Sequence, residues 1–144
     1  MSAVAARVRD FTPADAAAVL ELWRETGLGN PARGDDLETV ARTLAAGGRL
    51  LVLEIDGALV GTSWLTVDGR RTYLHHFGVR PPHQRQGLGR QLLDASLAAA
   101  RLIGFQVKLE VHRDNAAAIA LYRRAGFARL GDYDVFIRRE LPPG

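Results

Sequence analysis

Apolar and polar positions follow two rhythms along the chain, and the switches between them mark its elements. Residues 7–11, 50–55, 58–67, 72–79 and 106–111 read as strands: runs of apolar and β-branched residues, the last with Val107, Leu109 and Val111 pointing one way and Lys108 and Glu110 the other. Thr12 before Pro13 predicts a helix start, Ala17, Leu20, Trp23 and Arg24 fall at helical spacing, and Gly27 stops it. Asp35 or Asp36 opens a second helix through Leu37, Val40, Ala41 and Leu44 to the Gly47-Gly48 pair. Residues 87–103 put Leu88, Leu92, Ala95, Ala99 and Ile103 on one helical face. Residues 115–125 carry Ile119, Leu121 and Tyr122, and Gly126 ends that helix. Asp56-Gly57 and Asp68-Gly69 mark tight turns, and residues 127–130 and 133–139 predict two closing strands. The order is that of an α/β chain with a strand-helix-strand unit at its centre, read as a single domain over 1–144.

Composition narrows the chemistry. The chain has 144 residues, 47% of them apolar, enough for one core. With no cysteine, disulfides, thiolate metal sites and cysteine nucleophiles are excluded, so group transfer cannot pass through an enzyme thioester. No apolar run reaches the roughly 18 residues of a membrane span, and the start lacks a secretory signal, so a cytoplasmic protein is expected. The net charge of +3 arises from 19 basic and 16 acidic residues interspersed, with Lys108 the one lysine. Aromatic and basic residues do not interleave on one strand, which argues against nucleic acid as a partner. Metal binding is not expected, because His75 and His76 should face opposite sides of their strand.

The stretch HQRQGLGRQLL, residues 83–93, puts two glycines in front of an apolar helix. A helix beginning at Gly87 leaves its first amide N–H groups unpaired, and glycine at 87 and 89 removes the Cβ atoms that would hold a diphosphate away. Arg85 and Arg90 add positive charge. A Gly-x-Gly also makes an ordinary strand-to-helix turn. No Gly-Lys-Ser/Thr follows, and Leu92 stands where a dinucleotide fingerprint needs its third glycine, so neither common nucleotide loop fits.

VRPPHQRQGLGRQLL resembles the acyl-CoA signature of the GNAT superfamily of N-acetyltransferases, with Gln84, Gly87 and Gly89 at the (Gln/Arg)-x-x-Gly-x-(Gly/Ala) positions. The second signature is similar to LEVHRDNAAAIALYRRAGF, through Leu109, Val111, Asn115, Ala118, Leu121, Tyr122, Gly126 and Phe127. The region around Glu110 resembles ribosomal-protein alanine N-acetyltransferases. The likeness is close over residues 72–127, looser in the preceding hairpin, and matches the N-terminal helices in kind only.

This resemblance implies a mixed, mostly antiparallel twisted sheet of about seven strands flanked by about four helices and splayed between the fourth and fifth strands. It implies acetyl-CoA as co-substrate and, as acceptor, a primary amine of a small molecule, a peptide or a protein, with direct transfer between them. Phe77, Gly78, Val79, Gln84, Arg85, Gln86, Gly87, Leu88, Gly89, Arg90, Asn115 and Tyr122 would line the cofactor, the Val79 N–H polarising the thioester carbonyl. Asn115 would bond the cofactor arm. Tyr122 would protonate the departing thiolate; the same residue could be a core aromatic on its helix. For the general base, Glu110, His75 and a water chain remain open. His75 is expected on the side of Phe77 and Val79, His76 in the opposite layer, and His83 and His112 at the rim. Relatives pairing through the final strands imply a homodimer.

The acceptor is expected to meet residues 25–36 and 130–134, where an acidic pocket of Asp35, Asp36 or Asp134 would favour cationic acceptors. A non-catalytic acyl-CoA sensor on the same fold is the alternative; it would keep the anion loop and lose the acid.

Overall fold

The Asp56-Gly57 turn joins β2 (Arg49–Ile55) to β3 (Ala58–Val67), with Ile55 opposite Ala58 as a tight hairpin requires. The computed structural model describes residues 6–144. β1 (Ala6–Asp10) pairs antiparallel with β2, β3 pairs antiparallel with β4 (Arg71–Val79), and β5 (Gln106–Leu109) runs parallel to β4. The sheet therefore has the order β1-β2-β3-β4-β5. Its one parallel pair needs a crossover, which α3 (Leu88–Ile103) supplies.

Two apolar clusters lie on opposite faces. Leu50 and Val52 of β2 join Val19, Leu22 and Trp23 of α1 (Ala16–Thr26), Val40 of α2 (Leu37–Ala45) and Trp64. Leu51 and Leu53, the alternate residues of β2, join Leu65, Leu74 and the Leu88, Leu92, Leu93 and Ala99 face of α3, together with Tyr122 of α4 (Ala116–Arg124). Burying a leucine from water contributes about 1.5–3 kcal/mol, so this alternation fixes the register of the central strands. On α1 the buried residues are Val19, Leu22 and Trp23; Ala17 and Arg24, expected inward, are exposed.

The N-terminus of α1 is built as the Thr12-Pro13 pair predicts. Thr12 caps a short 3-10 turn, Pro13–Asp15, and Asp15 Oδ2 accepts from the Thr12 amide at 2.8 Å. Arg9 binds both Asp15 oxygens, at 2.8 and 2.9 Å, tying β1 to this turn. Asp36 caps α2 by accepting from Thr39 N at 2.8 Å, and its side chain is thereby committed.

Among the described residues five strands form, not about seven. Residues 127–130 and 133–139 have no ladder partner; Phe127 packs on Tyr122, but the apolar side chains beyond it lie open: Phe136 is 92% exposed and Tyr133 77%. Aromatic and β-branched residues favour a strand only where a pleated, half-buried surface receives them. Here β5 offers four residues, already paired on one side to β4, and its other edge stays unpaired. Among the described residues no helix is long and apolar enough to cross a membrane.

Candidate active site

Pairing between β4 and β5 ends at Leu74 and Leu109, so residues 75–79 of β4 have no partner on that side. The sheet splays there, between the fourth and fifth strands. Arg80 N donates to Val60 O of β3 at 2.7 Å, and strand alternation then turns the Val79 N–H the other way, into the gap.

The same stretch of β4 carries a bulge. Thr62 pairs with Gly78 and Trp64 with His75, so Ser63 alone faces both His76 and Phe77. His76 takes a left-handed φ of 46°, unusual for a residue with a side chain. The extra residue breaks the simple alternation expected for this strand. His75 and His76 both lie on the α1/α2 face, where they line one cavity with Trp64, whereas Phe77 packs on Tyr122 across the other face, ring centroids 5.9 Å apart. The prediction that the two histidines face opposite layers is thus corrected, and with it the reason given against a metal. Among the described residues no cluster of three His, Asp or Glu side chains is placed to hold one.

The bulge is pinned from below. Trp23 Nε1 donates to Thr62 Oγ1 at 2.9 Å, and Thr62 Oγ1 donates to the His76 carbonyl at 2.8 Å. Trp23 also stacks on Trp64, centroids 5.4 Å apart, and both indoles meet the His76 ring. Sequence reasoning passed over Thr62 and Ser63. The available signal was two small polar residues in the middle of an apolar strand, since buried hydroxyls need partners. Ser63 has its own in Ser96 of α3, at 2.6 Å.

At the end of β4 the chain turns through a short 3-10 segment, Pro81–His83, and enters α3. Gly87 caps that helix at φ 77°, and Arg85 is also left-handed at 63°. Among the described residues the amides of residues 85–90 donate to no backbone or side-chain acceptor. They form one row at a helix N-terminus, a setting that favours phosphate oxygens. The space about a Cβ at Gly87 is open, so glycine there answers the backbone angle, and leaves the approach clear.

The other predicted cofactor residues divide by what their side chains already do. Gln84 Nε2 donates to Val79 O at 2.9 Å and ties the loop to the bulged strand. Leu88 is buried in the core and offers only its amide. Gln86 reaches Pro82 O at 3.5 Å, and Arg90 pairs with Asp94 at 3.0 Å. Gly78 admits Leu28: a Cβ there would stand 2.9 Å from Leu28 Cδ1. Asn115 caps α4, its Oδ1 accepting from Ala118 N at 3.2 Å, which leaves its amide NH2 uncommitted.

Tyr122 is buried between Phe77 and Phe127, and burial pushes its hydroxyl up to about 12. It therefore carries its proton at any ordinary pH. His75 Nε2 lies 2.7 Å from Thr66 Oγ1. Desolvation first, and then neighbouring His76, hold the imidazole below its usual value, so it is neutral near pH 7. Glu110 lies just past β5, exposed, on the face marked by Lys108, whose ammonium sits 5.9 Å from the Tyr73 ring centroid. That is the face His75 occupies, and the carboxylate acts on the imidazole through its charge.

The segment between α1 and α2 covers the bulge. Asp35 Oδ1 stands 3.1 Å from His76 Nε2, out of line for a hydrogen bond, so that buried nitrogen is unsatisfied. A cavity of about 360 Å³ opens beside them, lined by Arg33, Asp35, Arg42, Trp64, His75 and His76 among others. Of the expected acceptor segments, residues 25–36 reach the site; Leu130, Tyr133 and Asp134 are exposed.

The profile of the Acetyltransferase (GNAT) family matches residues 16–127, and the chain belongs to that family. It is 46% identical over 79 residues to the N-alpha-acetyltransferase RimI of Mycobacterium tuberculosis, 52% of this chain and 49% of that protein. It is 35% identical over 136 residues to the L-amino acid N-acyltransferase MnaT of Escherichia coli, 83% of this chain and 78% of that protein. A solved structure of yncA from Salmonella typhimurium, described as a putative acetyltransferase with its cofactor acetyl-CoA, superposes with a TM-score of 0.69 at 29% identity, over 86% of this chain and 80% of that one. The chain spans about half or less of the length of the first of its curated relatives.

Proposed function

We propose that the protein transfers an acetyl group from acetyl-CoA directly to a primary amine. The observation that carries this reading is the meeting of two features at the end of β4: the free amide row of residues 85–90 and the splayed strand with the Val79 N–H turned into the gap. The residues fit the cofactor, because Gly87, Arg85 and the first turn of α3 offer main-chain donors and charge with no Cβ at Gly87 to obstruct a diphosphate. Bound there, acetyl-CoA supplies an activated acyl group on a thiol leaving group.

The chain's own residues do the rest. Val79 N–H donates to the carbonyl oxygen, where negative charge grows as the amine attacks; one such oriented donor contributes about 2.7–4 kcal/mol. The amine lone pair forms the N–C bond as the C–S bond breaks. Tyr122 gives its proton to the sulfur, and His75 takes the proton from nitrogen. When His75 Nε2–H donates to Thr66 Oγ1, Nδ1 keeps the lone pair this requires. A second reading gives that proton to Glu110, favoured by its place on the same face beside the gap.

Tyr122 also separates this reading from that of a sensor, since a binding module has no use for a protonated phenol beside the leaving group. Thiol release from acetyl-CoA, followed with a panel of amines, tests the proposal. Amine-dependent release lost in Y122F supports it; coenzyme A binding with no release for any amine leaves the sensor.

A further inference from the structure

The cavity on the α1/α2 face is charged in a graded way. At its depth lie His76 and Asp35, whose side chains are 14% and 19% exposed, against the β4 bulge. At its mouth lie Arg33 and Arg42, Arg42 being 66% exposed. Arg42 touches Glu38 at 3.4 Å and Thr39 at 3.1 Å, bonds that leave part of its planar fork open. Trp64 and the two histidine rings give the floor an aromatic surface. At about 360 Å³ the space suits a small molecule, near the lower end of ordinary ligand pockets.

We propose that the acceptor is a small amine that also carries a carboxylate, of the α-amino acid class, its carboxylate held at the mouth by Arg33 and Arg42 and its amine directed between the half-buried Asp35 and the exposed His75. This rests on the acetyl-transfer reading above and gives it a substrate class. Guanidinium forks bind carboxylates with paired hydrogen bonds, and two of them at one mouth repel a polycation. Asp35 receives the entering ammonium: Oδ2 is committed to Asn30 N at 2.8 Å, while Oδ1 faces the unsatisfied His76 Nε2. A peptide N-terminus has no carboxylate at this distance from its amine, so it would leave both arginines without a partner. In the transfer the ammonium first gives a proton to His75, the freed lone pair forms the N–C bond as the C–S bond breaks, Tyr122 gives its proton to the sulfur and regains one from the acylated nitrogen through solvent, and the carboxylate is unchanged.

Paired acceptors test this: free L-amino acids such as methionine, phenylalanine and glutamate, and the same compounds with the carboxyl group amidated. The native protein should favour the acids in kcat/KM by about ten- to a hundredfold, the range expected when a charge-assisted bond is lost. R33Q/R42Q should bring acid and amide to parity by lowering the acid alone. Both side chains are exposed, so these substitutions leave the fold intact. Fluorescence of Trp64 gives a readout apart from turnover: free amino acid should change it saturably, the amide weakly, and R33Q/R42Q should abolish the difference. Equal use of acid and amide, or equal losses for both in the variant, overturns the acceptor class while acetyl transfer stands. No transfer to any amine, peptides and aminoglycosides included, overturns both.

Discussion

The hydroxyl of Thr62 holds the carbonyl of His76 at 2.8 Å, and it is itself held by Trp23 Nε1 at 2.9 Å. A left-handed histidine costs about 1–3 kcal/mol unless its surroundings fix it, and this pair does the fixing. Val79, three residues on, presents its amide from the same strand. Thr62→Val would strand two buried polar groups, destabilising the fold by about 1–3 kcal/mol for each. It should also lower kcat by about ten- to a hundredfold with KM for acetyl-CoA little changed, because a misplacement near 1 Å is costly in the transition state. Thr62→Ser should restore most of the rate. Steady-state kinetics with thermal melts of both variants makes the comparison.

His75 acts as a base only while neutral. Its imidazole titrates below the ordinary 6.5, through desolvation first and His76 second, so kcat/KM should be flat above neutrality and fall as pH drops through that lowered value. In His75→Gln the acid limb should vanish along with about a hundredfold or more of rate. Glu110→Gln should keep the limb. A pH profile of all three proteins decides between the two candidates, for the limb would follow Glu110 if that carboxylate takes the proton.

Tyr122, raised to about 12 by burial, keeps its proton across the accessible pH range, so no alkaline limb below about 11 should belong to it. Tyr122→Phe should cost about a hundredfold in kcat with acetyl-CoA. With an acetyl thioester of an acidic aryl thiol the loss should shrink, since that thiolate departs without help. Comparing the two donors distinguishes an acid from a packing residue, whose loss would affect both alike.

Gly87 at φ 77° has room for a side chain and no backbone tolerance for one. Gly87→Ala should cost about 1–2 kcal/mol of stability from strain alone. Calorimetry should show coenzyme A binding weakened beyond that, while a pantetheine fragment lacking the diphosphate binds as before.

Much of this was readable in the sequence because it rests on local rules. The Asp56-Gly57 turn, the Thr12-Pro13 helix start and the inward Leu88, Leu92 and Ala99 of α3 depend on neighbours a few residues away. The facing of His75 and His76 was not readable, because one extra residue in β4, set by pairing with Thr62 and Trp64 across the sheet, reverses a strict alternation. The two closing strands fail for a related reason. Residues 133–139 have strand-forming side chains, yet a strand also needs a neighbour's backbone, and composition does not say whether one is there. Of the cavity arginines, Arg33 lies in a segment with no recognisable pattern and Arg42 on a helix that was readable, and only the packing of both against the bulged strand brings them to the histidines.

Because Leu50 and Val52 feed one apolar cluster and Leu51 and Leu53 the other, neither helical layer can let go while its counterpart stays packed. Melting should then be a single cooperative event. Amide protons in the middle of β2 should exchange with solvent only when the whole molecule opens, making that strand the slowest to take up deuterium.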